Sequence, residues 1–321
     1  MNVSKPENLE EAIRFLSDHQ EARIVAGGTD LLPRINQKLE AHDTLCYIDD
    51  LPEMSGVVVA KDGGVFIGAS VRLFEIAVNK ELSGYTALLQ AASKVASPQI
   101  RNQATIGGNI LQENRCMYFN NQVPWSDVNH CFKWGGKQCF QYKSSKECVA
   151  LFQSDVAPVL IAFDAVAVIC GPDGRRELPV EELYLKAGRK NIAHNEILLG
   201  IKLPALMEGV FSAYARKTIR GSFDFPLLSC AVRLVTGEDR VIKDAKVVFG
   251  SAGVMPAVFQ VAEDVMVGKK INELTALADT LKPAVSKVIM PFRDTRVNGP
   301  VRKDMAKEVF SKAITQIEQV T

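Results

Sequence analysis

Two Gly-Gly steps constrain this chain more than any other feature. Gly27-Gly28 follows a short extended run, Ala22 to Ala26, and leads through Thr29-Asp30 into a helical pattern from Leu31. Gly107-Gly108 repeats the device after Thr105-Ile106 and runs into Asn109. Glycine lets backbone N–H groups come close to an anion, and a helix start behind it adds a favourable dipole. Two such steps together suit the grip of a pyrophosphate. A single Gly-Gly turn is more often structural than binding. Neither step has the Gly-x-Gly-x-x-Gly spacing of the classical dinucleotide fold. A Walker loop is also missing. Gly268-Lys269-Lys270 has Glu263 where the first glycine belongs, and no Ser or Thr follows Lys269.

The 321 residues suffice for two or three packed units. Residues 1–55 read as a βαβ-like unit. Leu9, Ala12, Ile13 and Leu16 recur at helical spacing, and Leu45 to Ile48 reads as a strand. Residues 56–210 form a second unit. It opens with a hairpin, Val57 to Val59 against Val65 to Ile67, across Lys61-Asp62-Gly63-Gly64. Helical segments are expected near 73–78 and 85–96, and apolar chain resumes at Val156. Between them, residues 112–153 are polar, aromatic and aperiodic, and read as an inserted loop. Residues 211–321 form a third unit, antiparallel strands over 211–249 and then helices over 261–320. The fold class is therefore α+β.

The balance of 38 basic and 37 acidic residues leaves a net charge of +1, so no global field draws the chain to nucleic acid or an anionic membrane. The first residues carry no apolar signal segment. The longest apolar run, Val156 to Cys170, is interrupted by Asp164 and is too short to span a bilayer. A cytoplasmic location is expected.

Seven cysteines are present. Cys46, Cys170 and Cys230 stand alone in apolar surroundings and read as small core residues. Cys116, Cys131, Cys139 and Cys148 crowd into the insert, separated by 14, 7 and 8 residues. In a cytosolic chain such crowding points to metal rather than disulfides. Four thiolates can hold an iron–sulfur cluster or one tetrahedral zinc. No Cys-x2–4-Cys knuckle is present, so a loop wrapped around a cluster fits better than zinc, with unliganded thiols as a third reading. His130 reads as a neighbour of a ligand. Trp125 and Trp134 read as the insert's own core or as a shield that keeps water from a cluster. His19 and His42 read as solvated. Gly250-Ser251-Ala252-Gly253 is not a nucleophile elbow, and His194-Asn195-Glu196 is not a zinc motif. No acid/base constellation for substrate chemistry stands out.

Ala26-Gly27-Gly28-Thr29-Asp30-Leu31-Leu32, together with Arg101-Asn102-Gln103-Ala104-Thr105-Ile106-Gly107-Gly108-Asn109, closely resembles the FAD-binding subunits of the xanthine dehydrogenase and carbon monoxide dehydrogenase group. Ser154-Asp155-Val156-Ala157-Pro158 resembles that family's Ser-Asp-x-x-Pro segment. Outside the insert the resemblance spans essentially the whole chain. It implies a two-subdomain FAD-binding domain followed by a C-terminal α+β domain. One FAD would be held by Ala26, Gly27, Gly28, Thr29, Asp30 and Leu31 from one side, and by Thr105, Ile106, Gly108 and Asn109 from the other. Thr105 and Ile106 would lie near the isoalloxazine, and Asp155 would accept hydrogen bonds from FAD hydroxyls. Arg216 and Asp224 would match a basic and an acidic position of the third domain, beside a structural surface role.

The insert resembles that of the beta subunits of 4-hydroxybenzoyl-CoA reductases. This resemblance implies a [4Fe–4S] cluster on Cys116, Cys131, Cys139 and Cys148. Cys116-Met117-Tyr118-Phe119 also resembles the cluster-bearing flavin subunits of periplasmic aldehyde oxidoreductases. The implied partners are a molybdopterin-containing large subunit, a small subunit with two [2Fe–2S] clusters, and an electron donor such as ferredoxin, in a dimer of heterotrimers. Electrons would run inward, to remove a phenolic hydroxyl and give benzoyl-CoA. Two other readings stand beside it: an aldehyde or N-heterocycle hydroxylase run outward, and a non-catalytic module with structural zinc.

Overall fold

The computed structural model describes residues 1–120, 131–221, 223–290 and 297–320. Trp125 and His130 lie outside the described residues. The first unit is a parallel sheet in the order Asn2–Ser4, Thr44–Tyr47, Arg23–Val25. Helix Leu9–Asp18 crosses between its first two strands in sequence. Asn8 starts the helix by accepting from the Glu11 N–H at 2.9 Å. Leu9, Ala12 and Leu16 turn inward, as their spacing predicts.

The second unit is an antiparallel sheet in the order Val57–Val59, Val65–Gly68, Ile197–Leu203, Val166–Gly171, Gly174–Pro179. The expected hairpin forms, with Val57 opposite Ile67. Helices Leu73–Val78 and Thr86–Lys94 pack against each other, and the second also meets strand Val210–Lys217 of the third unit.

The third unit is a four-stranded antiparallel sheet, ordered Val210–Lys217, Leu228–Thr236, Ile242–Gly250, Ala257–Val258, and followed by helices Gln260–Met266, Leu274–Val288 and Gly299–Glu318. Strand Leu228–Thr236 is buried at every residue. The register explains why. Tyr214, Ala231 and Val248 stand in one row and join the core of the first two units. The adjacent row, Ala215, Cys230 and Phe249, joins the core beneath the third unit's helices. Successive side chains of a strand point to opposite faces, so a strand covered on both faces is mainly apolar, and its buried Arg233 is paired with Asp164 and Asp244. The third unit is thus welded to the rest through its sheet. No helix among the described residues is long and apolar enough to cross a membrane.

The insert stays largely irregular, with one short α-helix, Met117–Asn120, and one 3-10 turn, Phe132–Trp134, among its described residues. Its neck is closed by a two-residue bridge: Arg115 N–H donates to Leu151 O at 2.8 Å, and Leu151 N–H returns the bond at 2.9 Å. The Asn114 amide donates to Ala150 O and Val254 O, both at 2.8 Å, and ties the neck to the third unit.

Phe249, Phe259 and Phe310 meet pairwise in the C-terminal core at centroid distances of 6.0–6.3 Å. Phe310→Ala opens a cavity there and is expected to destabilise the chain by about 3–5 kcal/mol. Denaturant unfolding followed by circular dichroism measures this. A loss below about 1 kcal/mol would contradict a tightly packed third core.

Candidate functional site

The first glycine step meets the segment that leads into the second one unusually closely. A Cβ on Gly27 would lie 1.9 Å from the Gln103 carbonyl oxygen, so only glycine fits. Gly28 takes φ +71, where other residues are strained. Arg72 stitches the same seam. Its guanidinium donates to Gln103 O at 2.7 Å and reaches both oxygens of Asp49, at 3.2 and 2.6 Å.

A cavity of about 540 Å³ opens beside this seam, within the range of small-molecule and cofactor sites. Ala26, Gly27, Gly28, Thr29, Asp30 and Leu31 line it, and so do Thr105, Gly107 and Gly108. Ile106 and Asn109 do not; they are buried in the wall behind.

The two steps differ in what they can offer an anion. In the first, the N–H groups of Gly27, Gly28, Thr29 and Asp30 donate to no protein group among the described residues. Four successive unpaired N–H groups on a cavity wall form a concave donor surface suited to phosphate oxygens. In the second, every N–H is already used. Ile106 donates to Val71 O, Gly107 to Ala69 O, Gly108 to the Thr105 hydroxyl and Asn109 to Thr105 O. The segment expected as a binding loop is instead the start of helix Ile106–Leu111, capped by Thr105. Its glycines serve close approach: a Cβ on Gly107 would lie 2.9 Å from Ala69.

Asp30 is engaged by the protein. It pairs with Arg34 at 3.1 Å and with Arg115, and it accepts from the Glu113 N–H at 3.1 Å. Beyond the expected residues, Arg34, Gln112, Lys190 and His194 also line the cavity. Lys190 forms no ion pair among the described residues; its ammonium donates to Gln112 O at 3.3 Å. Burial lowers its pKa, with Lys133 and Arg34 acting in the same direction against Glu113 and Asp30. An unpaired, partly desolvated cation on the wall suits an anionic ligand. Nothing in sequence marks Lys190, which becomes part of the wall only because the turn at Gly188 folds against Glu113.

Asp155 and Arg216 come together, but away from the cavity lining. Arg216 reaches both Asp155 oxygens at 3.2 Å, and the Tyr214 hydroxyl donates to one of them. Burial raises the Asp155 pKa against the pull of Arg216, Tyr214 and Lys94. Asp155 thus has both carboxylate oxygens engaged by Arg216 and one of them by Tyr214. Its neighbour Ser154 donates to the Asn109 side chain at 2.6 Å, so the pair braces the helix behind the cavity. Asp224 instead accepts from the Arg220 N–H at 3.3 Å, on the surface.

Cys116, Cys131, Cys139 and Cys148 line one small cavity of about 10 Å³, with Phe119, Phe132 and Lys133. Trp134 stacks on Phe119 at 5.5 Å and supplies part of the insert's core. The space equals about one water, and among the described residues no three His, Cys, Asp or Glu side chains close on a single ion. Burial pushes the Cys116 thiol up to about 11, and the Cys148 thiol is also raised, first by burial. The four thiols converge, but this arrangement is too tight for a cluster as it stands. Cys46, Cys170 and Cys230 sit in the two apolar cores.

A family profile described as "FAD binding domain in molybdopterin dehydrogenase" matches residues 1–206, and one described as "CO dehydrogenase flavoprotein C-terminal domain" matches residues 213–317. The xanthine dehydrogenase FAD-binding subunit of Escherichia coli O157:H7 is 26% identical, over 95% of this chain and 93% of its own. The aldehyde oxidoreductase FAD-binding subunit of Escherichia coli K12 is 30% identical, over 65% and 70%. Among solved structures, the reconstituted CO dehydrogenase of Oligotropha carboxidovorans superimposes with a TM-score of 0.81 at 20% identity, covering 99% of this chain and 98% of its own. The α+β architecture, an FAD-binding domain followed by the C-terminal domain, is the one the sequence predicts.

Gly108 and Gly27 separate two kinds of failure. A Cβ on Gly108 meets only the Thr105 hydroxyl, at 3.0 Å. Gly108→Val is expected to fold but to crowd the cavity and weaken FAD binding at least about tenfold, 1.4 kcal/mol. Gly27→Ala forces backbone apart and is expected to lower both thermal stability and FAD retention. Fluorescence titration of FAD and thermal melts read the two. Wild-type affinity in a folded Gly108→Val protein would contradict this placement.

Proposed function

The chain belongs to the FAD-binding family of the molybdopterin dehydrogenases, and from that premise we propose that it is the FAD- and [4Fe–4S]-carrying electron-transfer subunit of a 4-hydroxybenzoyl-CoA reductase. That it is the flavin subunit of a molybdenum hydroxylase-type oxidoreductase follows from the family alone. The observation that carries the FAD site is the row of unpaired N–H groups from Gly27 to Asp30, with Lys190 on the same wall. In this reading that row holds the diphosphate. Thr105 and Gly108 shape the opposite wall, while Ile106 and Asn109 support it from behind. Asp155 and Arg216 act one step back, through Ser154 and Asn109. Bound FAD supplies exchange between two-electron and one-electron chemistry; the protein binds it, orients it and sets its potential.

The cysteine insert is what favours the reductase. Cys116, Cys131, Cys139 and Cys148 share one cavity while the other three thiols do not. As ligands they must lose protons and move apart, so the loaded insert differs from the one described. Its neck, fastened at Arg115 and Leu151, can stay in place while the loop opens. The partners in this reading are a molybdopterin-containing large subunit, a small subunit with two [2Fe–2S] clusters and a ferredoxin-type donor, in a dimer of heterotrimers in the cytoplasm.

A second reading has its own support. The relatives include the FAD-binding subunits of a xanthine dehydrogenase and an aldehyde oxidoreductase and the medium chain of a glyceraldehyde dehydrogenase. The same chain then serves an aldehyde or N-heterocycle hydroxylase. Turnover by the complex purified with its large subunit decides: benzoyl-CoA formed from 4-hydroxybenzoyl-CoA supports the first reading, and hydroxylation with no reductase activity supports the second.

Cys139→Ser is expected to lower iron by about four atoms per chain, the content of one cubane cluster, and to leave FAD in place. Cys230→Ser should retain the iron. Iron analysis and electron paramagnetic resonance of the reduced proteins measure both. A full signal in Cys139→Ser, or stoichiometric zinc in the wild type, would contradict the ligand assignment.

A further inference from the structure

The cysteine cavity and the larger cavity are joined by a short line of charged side chains. Lys133 lines the cysteine cavity, and its ammonium pairs with the Glu113 carboxylate and donates to Asn114 O at 3.1 Å. The Glu113 carboxylate also accepts from the Asn114 N–H at 2.9 Å. The same carboxylate oxygen packs against the backbone of Gly188, where an added Cβ would lie 2.6 Å from it. Gly188 is two residues before Lys190, whose ammonium is held by the carbonyl of Gln112, the residue before Glu113. Lys190 in turn lines the larger cavity. All these side chains are at least partly buried, so salt screens their fields less than it would on the surface.

We propose that the Glu113–Lys133 ion pair couples the cysteine insert electrostatically to the flavin, with Glu113 as a positioning residue that sets Lys190 and the charge felt in the flavin cavity. This inference rests on the reading that the larger cavity holds FAD. Reduction adds negative charge to a flavin, so a more positive wall favours the reduced form and raises its midpoint potential. Glu113 is the counter-charge to two lysines. Removing its charge leaves Lys133 without its ion-pair partner and Lys190 without one of the two carboxylates, Glu113 and Asp30, that act on it. Removing Lys133 instead frees Glu113 to offset Lys190 more fully. The two substitutions therefore act with opposite sign, which loosened packing would not produce.

The test is spectroelectrochemical titration of the flavin in the purified complex. Glu113→Gln keeps the shape and the acceptor for the Asn114 N–H, and is expected to raise the flavin midpoint potential. Lys133→Met is expected to lower it, and the double variant to return toward the wild-type value. Flavin content is measured first. A wild-type complex without FAD would overturn the proposed function and this inference with it. Bound FAD whose potential stays constant in both variants, or shifts the same way in both, would overturn the inference alone. If one variant fails to fold, an unchanged or oppositely signed shift in the other suffices to overturn it.

Discussion

The approach of Gly27 to the Gln103 carbonyl is the contact on which the site depends. At this seam the first two units come within a distance only hydrogen can occupy. Arg72 holds them there through Asp49 and Gln103, a charge-assisted pair with one partner in each unit. The turn at Gly28 lines the cavity, and its N–H groups from Gly27 to Asp30 donate to no protein group among the described residues. Unpaired backbone donors carry a free-energy cost when dry, and a ligand's phosphate oxygens remove it.

The C-terminal domain contributes to the site without touching the cavity. Its sheet presents alternate rows to two cores, so it cannot move as a separate body. From the row facing the flavin domain, Tyr214 engages Asp155, and Arg216 closes on the same carboxylate. Ser154 then holds Asn109 in the helix that begins at the second glycine pair. Removing one member of a buried charge pair strands the other, at a typical cost of about 3–5 kcal/mol. This network explains why a residue the family resemblance assigns to the ligand is sealed among protein groups here.

Much of the scaffold was legible in the sequence, because its signals are local. The spacing of Leu9, Ala12 and Leu16 marks a helix, and the apolar runs flanking Gly63-Gly64 mark a hairpin. The helix at the second glycine pair was not legible, because glycine is a poor helix former. Its helix persists through the Thr105 cap and the fit of Gly107 on Ala69, and the latter is a long-range contact. Lys190 was invisible for the same reason. Lysines in polar turns are usually solvated, and only the packing of Gly188 on Glu113 brings this one into the cavity. The cysteine spacing correctly grouped the four thiols, yet spacing carries no information on how wide the loop stands open.

In the proposed function the free N–H groups of the first glycine step, not those of the second, grip the cofactor. Hydrogen–deuterium exchange of the FAD-loaded and FAD-stripped protein tests it directly, because exchange reports each amide's own protection. FAD is expected to slow exchange strongly at Gly27, Gly28, Thr29 and Asp30, with little change at Ile106, Gly107 and Asn109, whose amides are bonded within the protein. Protection gained at the second step while the first continues to exchange freely would contradict it.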